Sequence, residues 1–348
     1  MSAVTAKAVN WTELGFVPDT VIRAGIRRLL ESKRREIHSG DTEFAADAMN
    51  RFVEHMNESP VALVPELANE QHYEVPAEFF VHVMGEHLKY SCGYWPQGIN
   101  TLSESERAAL GVTTERAGIE DGMSVLDLGC GWGSLSLWIA ERFPNARVTS
   151  VSNSASQREF ILARAAAREL GNVEVVVADM NDFDTERRFD RVVSVEMFEH
   201  MRNWGELYRR VAGWLKPDGK LFQHVFCHRS TPYPYKNKGP GDWMSRHFFT
   251  GGMMPAADLP LRFPRHLNVE KRWHWNGKHY ARTCNAWLER MDSNRQQIMP
   301  VLEDCYGERH ASLWWQRWRI FFMACAELFA YDDGQEWFVG HYLLSRGG

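Results

Sequence analysis

The sequence has no Cys-x-x-Cys pair and no Cys/His cluster at zinc spacing. Its six cysteines, Cys92, Cys130, Cys227, Cys284, Cys305 and Cys325, stand far apart along 348 residues, so a zinc-ribbon or disulfide-stapled domain is excluded and the thiols read as reduced. No metal site is expected. Nor is there an excess of positive charge: 40 Lys and Arg stand against 45 Asp and Glu, a formal net charge of −5. The basic footprint that neutralises a nucleic-acid backbone is missing, and nucleic acid is not expected as a partner. The N-terminus lacks a charged-then-apolar signal pattern, so a cytoplasmic location is the default expectation. The most apolar late stretch, Leu313 to Tyr331, is broken by Gln316, Arg317, Arg319 and Glu327, which a bilayer core would penalise. It is expected as a buried helix, not a membrane span. No internal repeat or low-complexity tract is present.

What is present suits a globular chain. With 44% hydrophobic and 24% charged residues it can bury a real core, and its length favours two domains or one α/β domain with large insertions. Three parts are expected. Residues 1–105 form an N-terminal helical region, with Val21, Ile22, Ile26, Leu29 and Leu30 at helical spacing beside Arg23, Arg27, Arg28, Lys33, Arg34 and Arg35. That basic run reads first as a solvated face and second as a contact for anionic lipid or phosphate. Residues 106–230 alternate short β-branched runs with longer helical ones, the sign of βαβ units. Strands are expected at 125–128, 148–152, 173–177, 191–195 and 220–225, helices at 134–142, 156–170 and 204–215, and a turn at Lys216-Pro-Asp-Gly219. Residues 231–348 open with Pro- and Gly-rich loops at 231–235 and 238–242, then add strands at 268–275 and 336–345 around helices near 279–292 and 308–331. The fold class is α/β, a doubly wound Rossmann-like sheet with a helical lid inserted late.

The strand at 125–128 ends in Asp127-Leu-Gly129-Cys-Gly131-Trp-Gly133-Ser134 and opens a helix. Small residues there let backbone approach a ligand at a helix N-terminus, where free N–H groups favour a negative group. The glycines are spaced two and two, too tight for the dinucleotide pattern Gly-x-Gly-x-x-Gly. An acidic residue ahead of them suits a ligand that also carries a cation, such as the amino group of S-adenosylmethionine. Asp179, after the third strand, could accept from the adenine amino group, with an ordinary surface turn as its alternative. The second strand ends in Val151-Ser-Asn-Ser154 without an acidic residue for the ribose, so Asn153 and Gln157 are proposed instead, Asn153 alternatively as a helix cap.

The Asp-x-Gly-x-Gly-x-Gly pattern resembles motif I of class I methyltransferases. Leu88-Lys-Tyr-Ser-Cys-Gly-Tyr-Trp95, Val125 to Ser134, Val151 to Ser154 and Glu196-Met-Phe-Glu-His200 together resemble the cyclopropane-fatty-acid-synthase-like methyltransferases, and within these the coclaurine N-methyltransferase branch. The likeness runs from about residue 80 onward and includes His224-Val-Phe-Cys-His228, Phe248 to Gly252, Asn276-Gly-Lys-His-Tyr280 and Glu336-Trp-Phe338.

This resemblance implies S-adenosyl-L-methionine as cofactor, held by Tyr90, Ser91, Asp127, Gly129, Gly131, Gly133, Asn153, Gln157, Asp179 and Met180. It implies a small-molecule amine as substrate and leaves room for a homodimer. Lipid cyclopropane synthases typically carry Gly where this chain has Glu196. A carboxylate there suits an acceptor that arrives as an ammonium, and the resemblance assigns Glu196 to hold the nitrogen and His200 to accept its proton, as a neutral imidazole titrating near working pH.

Glu199 is a third catalytic candidate. With Cys92 and His224 it matches positions that hold bicarbonate in the lipid branch, although a structural role is the first reading. Tyr94, His224, Phe322, Phe329 and Trp337 are candidate substrate contacts, drawn from an aromatic supply that mostly packs inward. The alternative function is modification of unsaturated lipid chains, the one reading that would make a membrane a partner.

Overall fold

The computed structural model describes residues 9–63, 75–236 and 242–347. The expected loop at 238–241 lies outside them, as do Met1 to Ala8. Helix α1 spans Asp19–Glu36 and α2 Thr42–Asn57. After α3 (Ala77–Val83) comes α4 (Leu102–Ala117), whose start is set by a capping box between Thr101 and Glu104 and whose end is set by Gly118 in the left-handed conformation. The expected βαβ rhythm follows: β1 (Ser124–Leu128), α5 (Ser134–Arg142), β2 (Arg147–Ser152), α6 (Ala155–Ala167), β3 (Val173–Val177), β4 (Phe189–Val195), α7 (Trp204–Trp214) and β5 (Leu215–His228). Lys216 to Gly219 is no separate turn. Leu215 pairs with Phe189 and Lys220 with Arg191, so these four residues bulge out within β5.

Beyond β5, Tyr233–Pro234 (β6) and Met253–Met254 (β7) form a two-residue ladder where only loop was expected, with α8 (Trp243–His247) between them. Then come β8 (Leu267–Trp275), the helices α9 (Gly277–Ser293), α10 (Arg295–Tyr306) and α11 (Glu308–Ala330), and β9 (Trp337–Arg346).

Seven strands form one sheet in the order β3-β2-β1-β4-β5-β9-β8. β1 to β5 run parallel, whereas β9 is antiparallel to both its neighbours. Both faces are covered, as near-continuous apolar strands require. Leu126, Leu128, Val192 and Leu221 pack with α2 and α7, while Val125, Val193 and Phe222 pack with α4 and α5. A further aromatic-rich core joins α1, α3, α9, α10 and α11. Strand order reverses between β1 and β4, and at such a switch point an open α/β sheet leaves a crevice beyond the strand ends.

Arg27, Arg28 and Arg35 of the basic run on α1 are exposed, as a solvated face requires, but part of the run also makes ion pairs that neither expectation named. Arg23 and Arg27 reach Glu327 on α11 at 2.9 and 2.7 Å, and Arg34 reaches the buried Glu336 at 3.2 Å. The helix is thus fastened to the far end of the chain. Leu313 to Tyr331 falls within or directly after α11, and among the described residues no helix is long and apolar enough to cross a membrane.

Candidate active site

The cavity lies at the switch point. The turn after β1 reaches it through Asp127, Gly129, Cys130, Gly131 and Ser134. All three glycines have positive φ, but space divides their roles. A Cβ on Gly129 would stand 2.6 Å from Met197 Cγ and one on Gly133 would stand 2.7 Å from Ile161 Cγ1, whereas one on Gly131 would meet no described atom within 4 Å. Gly131 therefore opens on the cavity. Gly133, expected as a cofactor contact, does not line it and is small because α6 packs against it.

Several cavity groups lack partners of their own. The Asp127 carboxylate accepts from Ser136 Oγ at 2.6 Å, and burial pushes its carboxyl up to about 6. A cation beside it would stabilise the ionised form. Ser134 Oγ, Trp132 Nε1 and Gln157 Nε2 are buried without a hydrogen-bond partner among the described residues, a state that costs free energy unless a ligand satisfies them. Gln157 Oε1 is already held by Ser152 Oγ at 2.6 Å, which leaves its amide NH2 for an acceptor such as a hydroxyl. Asn153 lines the cavity, and the α6 cap is Ser154, not Asn153. Tyr90, Ser91 and Met180 also line it. Asp179 does not: its Oδ1 accepts from the Asn181 amide at 2.6 Å, the turn alternative, while Ala178 and Met180 on either side face the cavity. These groups fit S-adenosylmethionine, with a carboxylate for its amino group, helix-start donors for its carboxylate and unpaired polar atoms for its ribose.

Glu196 is the most constrained residue of the site. It follows β4 with φ +52, a conformation that costs a non-glycine residue about 1–2 kcal/mol. Its Oε1 accepts from the Cys92 amide and from His224 Nε2, both at 3.0 Å, and its Oε2 accepts from Tyr280 Oη at 2.5 Å. Burial pushes its carboxyl up; buried Lys89 and these donors pull it partly back, leaving it raised. Lys89 itself donates to Ser91 Oγ and to the Cys92 carbonyl at 2.6 and 2.8 Å.

A 3-10 turn at Phe198–His200 brings His200 to the same cavity as Glu196. The His200 ring packs on Phe249 with centroids 4.6 Å apart, and burial lowers its pKa to about 4. That departs from the expectation of titration near working pH: at neutrality this imidazole is uncharged, and burial opposes its taking up a proton.

Other candidates fall elsewhere. Glu199 turns inward, where Oε1 accepts from the Phe226 amide at 2.7 Å, Oε2 is buried without a hydrogen-bond partner among the described residues, and burial pushes the carboxyl far up. The Cys92 amide and His224 meet on Glu196 Oε1, and the Glu196 charge is felt at Glu199, so a carboxylate of the chain itself stands among these three residues. His224 stands behind Glu196 and does not line the cavity. Nor do the four aromatic candidates. Tyr94 stacks on Trp275 at 4.6 Å, Phe322 is buried between Trp287 and Trp318, and Trp337 donates to Tyr233 Oη at 3.0 Å. Phe329 stacks on Tyr280 at 4.4 Å, one layer behind Glu196. Helical spacing of aromatics marked core here. Two residues of the site were missed: Lys89, inside the Leu88 to Trp95 motif, which lines the cavity, and Tyr280, inside the Asn276 to Tyr280 motif, whose arrival at Glu196 from 84 residues away on α9 no local signal announces.

A doubly wound sheet with an antiparallel strand next to β5, a glycine turn after β1 and a buried carboxylate at its head define a class I S-adenosylmethionine-dependent methyltransferase. The chain belongs to the mycolic acid cyclopropane synthetase family, whose model matches residues 65–337. It is 36% identical to (S)-coclaurine N-methyltransferase of Thalictrum flavum subsp. glaucum over 348 residues, 99% of this chain and 96% of that one. Cyclopropane-fatty-acyl-phospholipid synthase of Escherichia coli K12 is 30% identical over 283 residues, 81% of this chain and 68% of that one. The crystal structure of coclaurine N-methyltransferase bound to N-methylheliamine and SAH superposes with a TM-score of 0.95 at 36% identity, covering 99% of this chain and all of that one.

Proposed function

We propose that the enzyme methylates the nitrogen of a small amine with a cyclic or aromatic body. The observation that carries this reading is the Glu196 carboxylate, held at the cavity by three donors from three different segments. A buried anion placed there attracts an ammonium and orients its nitrogen, a service without value to a neutral alkene. The names of the relatives support it, coclaurine and pavine N-methyltransferases among them.

Asp127, the backbone at Gly131 and Ser134, Asn153, Gln157 and Met180 would hold S-adenosylmethionine, which when bound supplies an electrophilic methyl group on its sulfonium. The chain's own residues do the rest. Glu196 binds the acceptor as a cation, and His200, uncharged at neutral pH, accepts the proton that the nitrogen must lose. Met197, Met201 and the Thr250 to Gly251 segment narrow the cavity and displace water from the reacting groups.

The direct test is incubation with methyl-labelled S-adenosylmethionine against a panel of cyclic amines and, separately, vesicles of monounsaturated phospholipid, with products identified by mass. Label in an amine supports the proposal; label in phospholipid alone overturns it.

A further inference from the structure

Glu196 is the end of a longer chain of hydrogen bonds. The register of β5 against β9 sets His224 opposite His341, and side chains of directly opposed residues project on the same face within reach of each other. His341 Nε2 lies 2.9 Å from His224 Nδ1, and His224 Nε2 lies 3.0 Å from Glu196 Oε1. At the other end, Arg116 Nη1 from the last turn of α4 lies 2.8 Å from His341 Nδ1. The Trp275 ring packs on both imidazoles, at 4.3 and 5.7 Å. The Arg116 guanidinium sits 5.0 Å from the Trp273 ring centre and 5.7 Å from that of Trp275. Neither Arg116 nor His341 lines the cavity.

A guanidinium can only donate. Burial, and the nearby positive charges, push both imidazoles well below the ordinary histidine value, so each carries one ring proton. The direction of every bond follows. Arg116 donates to His341 Nδ1, which places the His341 proton on Nε2; that proton is donated to His224 Nδ1, which places the His224 proton on Nε2, facing Glu196. We propose that Arg116 and His341 are positioning residues for methyl transfer: through two imidazoles they select the His224 tautomer that donates to Glu196 and so aim its carboxylate at the acceptor nitrogen. Without Arg116 the pair can reverse. His224 then presents a lone pair to the carboxylate, and the two repel.

The rate consequence rests on the proposed amine reading, whereas the tautomers are measurable without any acceptor. The experiment uses the full chain labelled with 15N-histidine, in wild type, Arg116→Met and Arg116→Lys, with His224→Asn and His341→Asn to assign resonances. Wild type should show both imidazoles protonated at Nε2. Arg116→Met should move His341, His224 or both toward the Nδ1-protonated signature and leave S-adenosylmethionine affinity within about twofold by calorimetry. Its kcat with the best amine should fall about 10- to 100-fold, the scale on which groups orienting a functional histidine act. Arg116→Lys, which keeps a cationic donor, should recover most of both effects. Unchanged tautomers in Arg116→Met would overturn the proposal, as would equal losses in the Met and Lys variants when both bind cofactor normally. If wild type methylates no amine at all, the amine reading falls, while the tautomer measurement still decides this one.

Discussion

Replacing Glu196 by Gln removes a charge and almost nothing else. The Gln carbonyl can keep the hydrogen bonds from the Cys92 amide and His224, and its NH2 group can face Tyr280 Oη, which turns to accept in place of donating. Cofactor contacts on the first three strands are untouched. What disappears is attraction for an ammonium. At about 4 Å and an effective dielectric constant of about 20 that attraction is roughly 4 kcal/mol, or about 10³-fold at ~1.4 kcal/mol per decade. Buried Lys89 already offsets part of the Glu196 charge, which lowers the expected loss in kcat/KM to about 10²- to 10³-fold. The assay is initial-rate methyl transfer to the best amine, alongside calorimetric titration of S-adenosylmethionine, whose affinity should stay near wild type. Glu196→Gly offers a companion measurement. Glycine accepts φ +52 without strain, and the three donors left behind converge on a space that formate can enter, so added formate should restore part of the rate. Full turnover by Glu196→Gln would refute the charge argument and with it the amine reading.

Gly131→Val has room for its Cβ, which meets no described atom within 4 Å, but sets a β-branched side chain at φ +53, a strain of at least about 1–2 kcal/mol; it should fold with that loss of stability and abolish S-adenosylmethionine binding, and near-native affinity by calorimetry would remove this turn from the site. S-adenosylmethionine affinity should be highest near neutrality and fall by up to about tenfold per unit below about pH 6, because burial raises the Asp127 carboxyl to about 6 and only its ionised form pairs with an amino cation; titration across pH should show this acid limb, absent in Asp127→Asn. His200→Ala should lower turnover by about two to four orders of magnitude. Since burial holds His200 at about 4, the wild-type rate should show no His200 limb near 6.5, and a limb there that vanishes in the variant would contradict the burial argument. Glu336, buried but held at about 2 by His228, Ser39 and Arg229, stabilises the fold above its ordinary value of 4.5 and loses that contribution as pH falls toward 2. Glu336→Gln should therefore cost about 3–5 kcal/mol in urea melts at neutral pH, with a gap to wild type that closes in acid.

Much of the core was legible because its signals are local. β1 to β5 are short β-branched runs bounded by turn residues, and the glycine turn declares its ligand by spacing alone. Glu196 and His200 could be paired because they stand four apart. The aromatic candidates failed for the converse reason: Phe322 and Trp337 belong to a helical core whose packing no single-residue signal distinguishes from a pocket wall. The basic run on α1 looked solvated because its carboxylate partners, Glu327 and Glu336, lie some 300 residues away. Arg116 and His341 were invisible for a similar reason. Their meaning depends on the register between β5 and β9, and a slip of one residue would turn His341 to the opposite face.

The position of β9 has a consequence for how the enzyme comes into being. In the sheet it lies between β5 and β8, yet it is made after both, so the strand that carries His341 must enter a gap between two strands already synthesised. Arg23 waits 304 residues for Glu327, roughly 15–60 s at ordinary elongation rates of about 5–20 residues per second. Throughout that interval α1 lacks its partner α11, and His224 has no imidazole to orient it. The nascent chain can assemble its glycine turn early, but its reaction centre closes only when the final strand slots in. A ribosome stalled near residue 330 would therefore display a chain able to recognise cofactor and unable to use it.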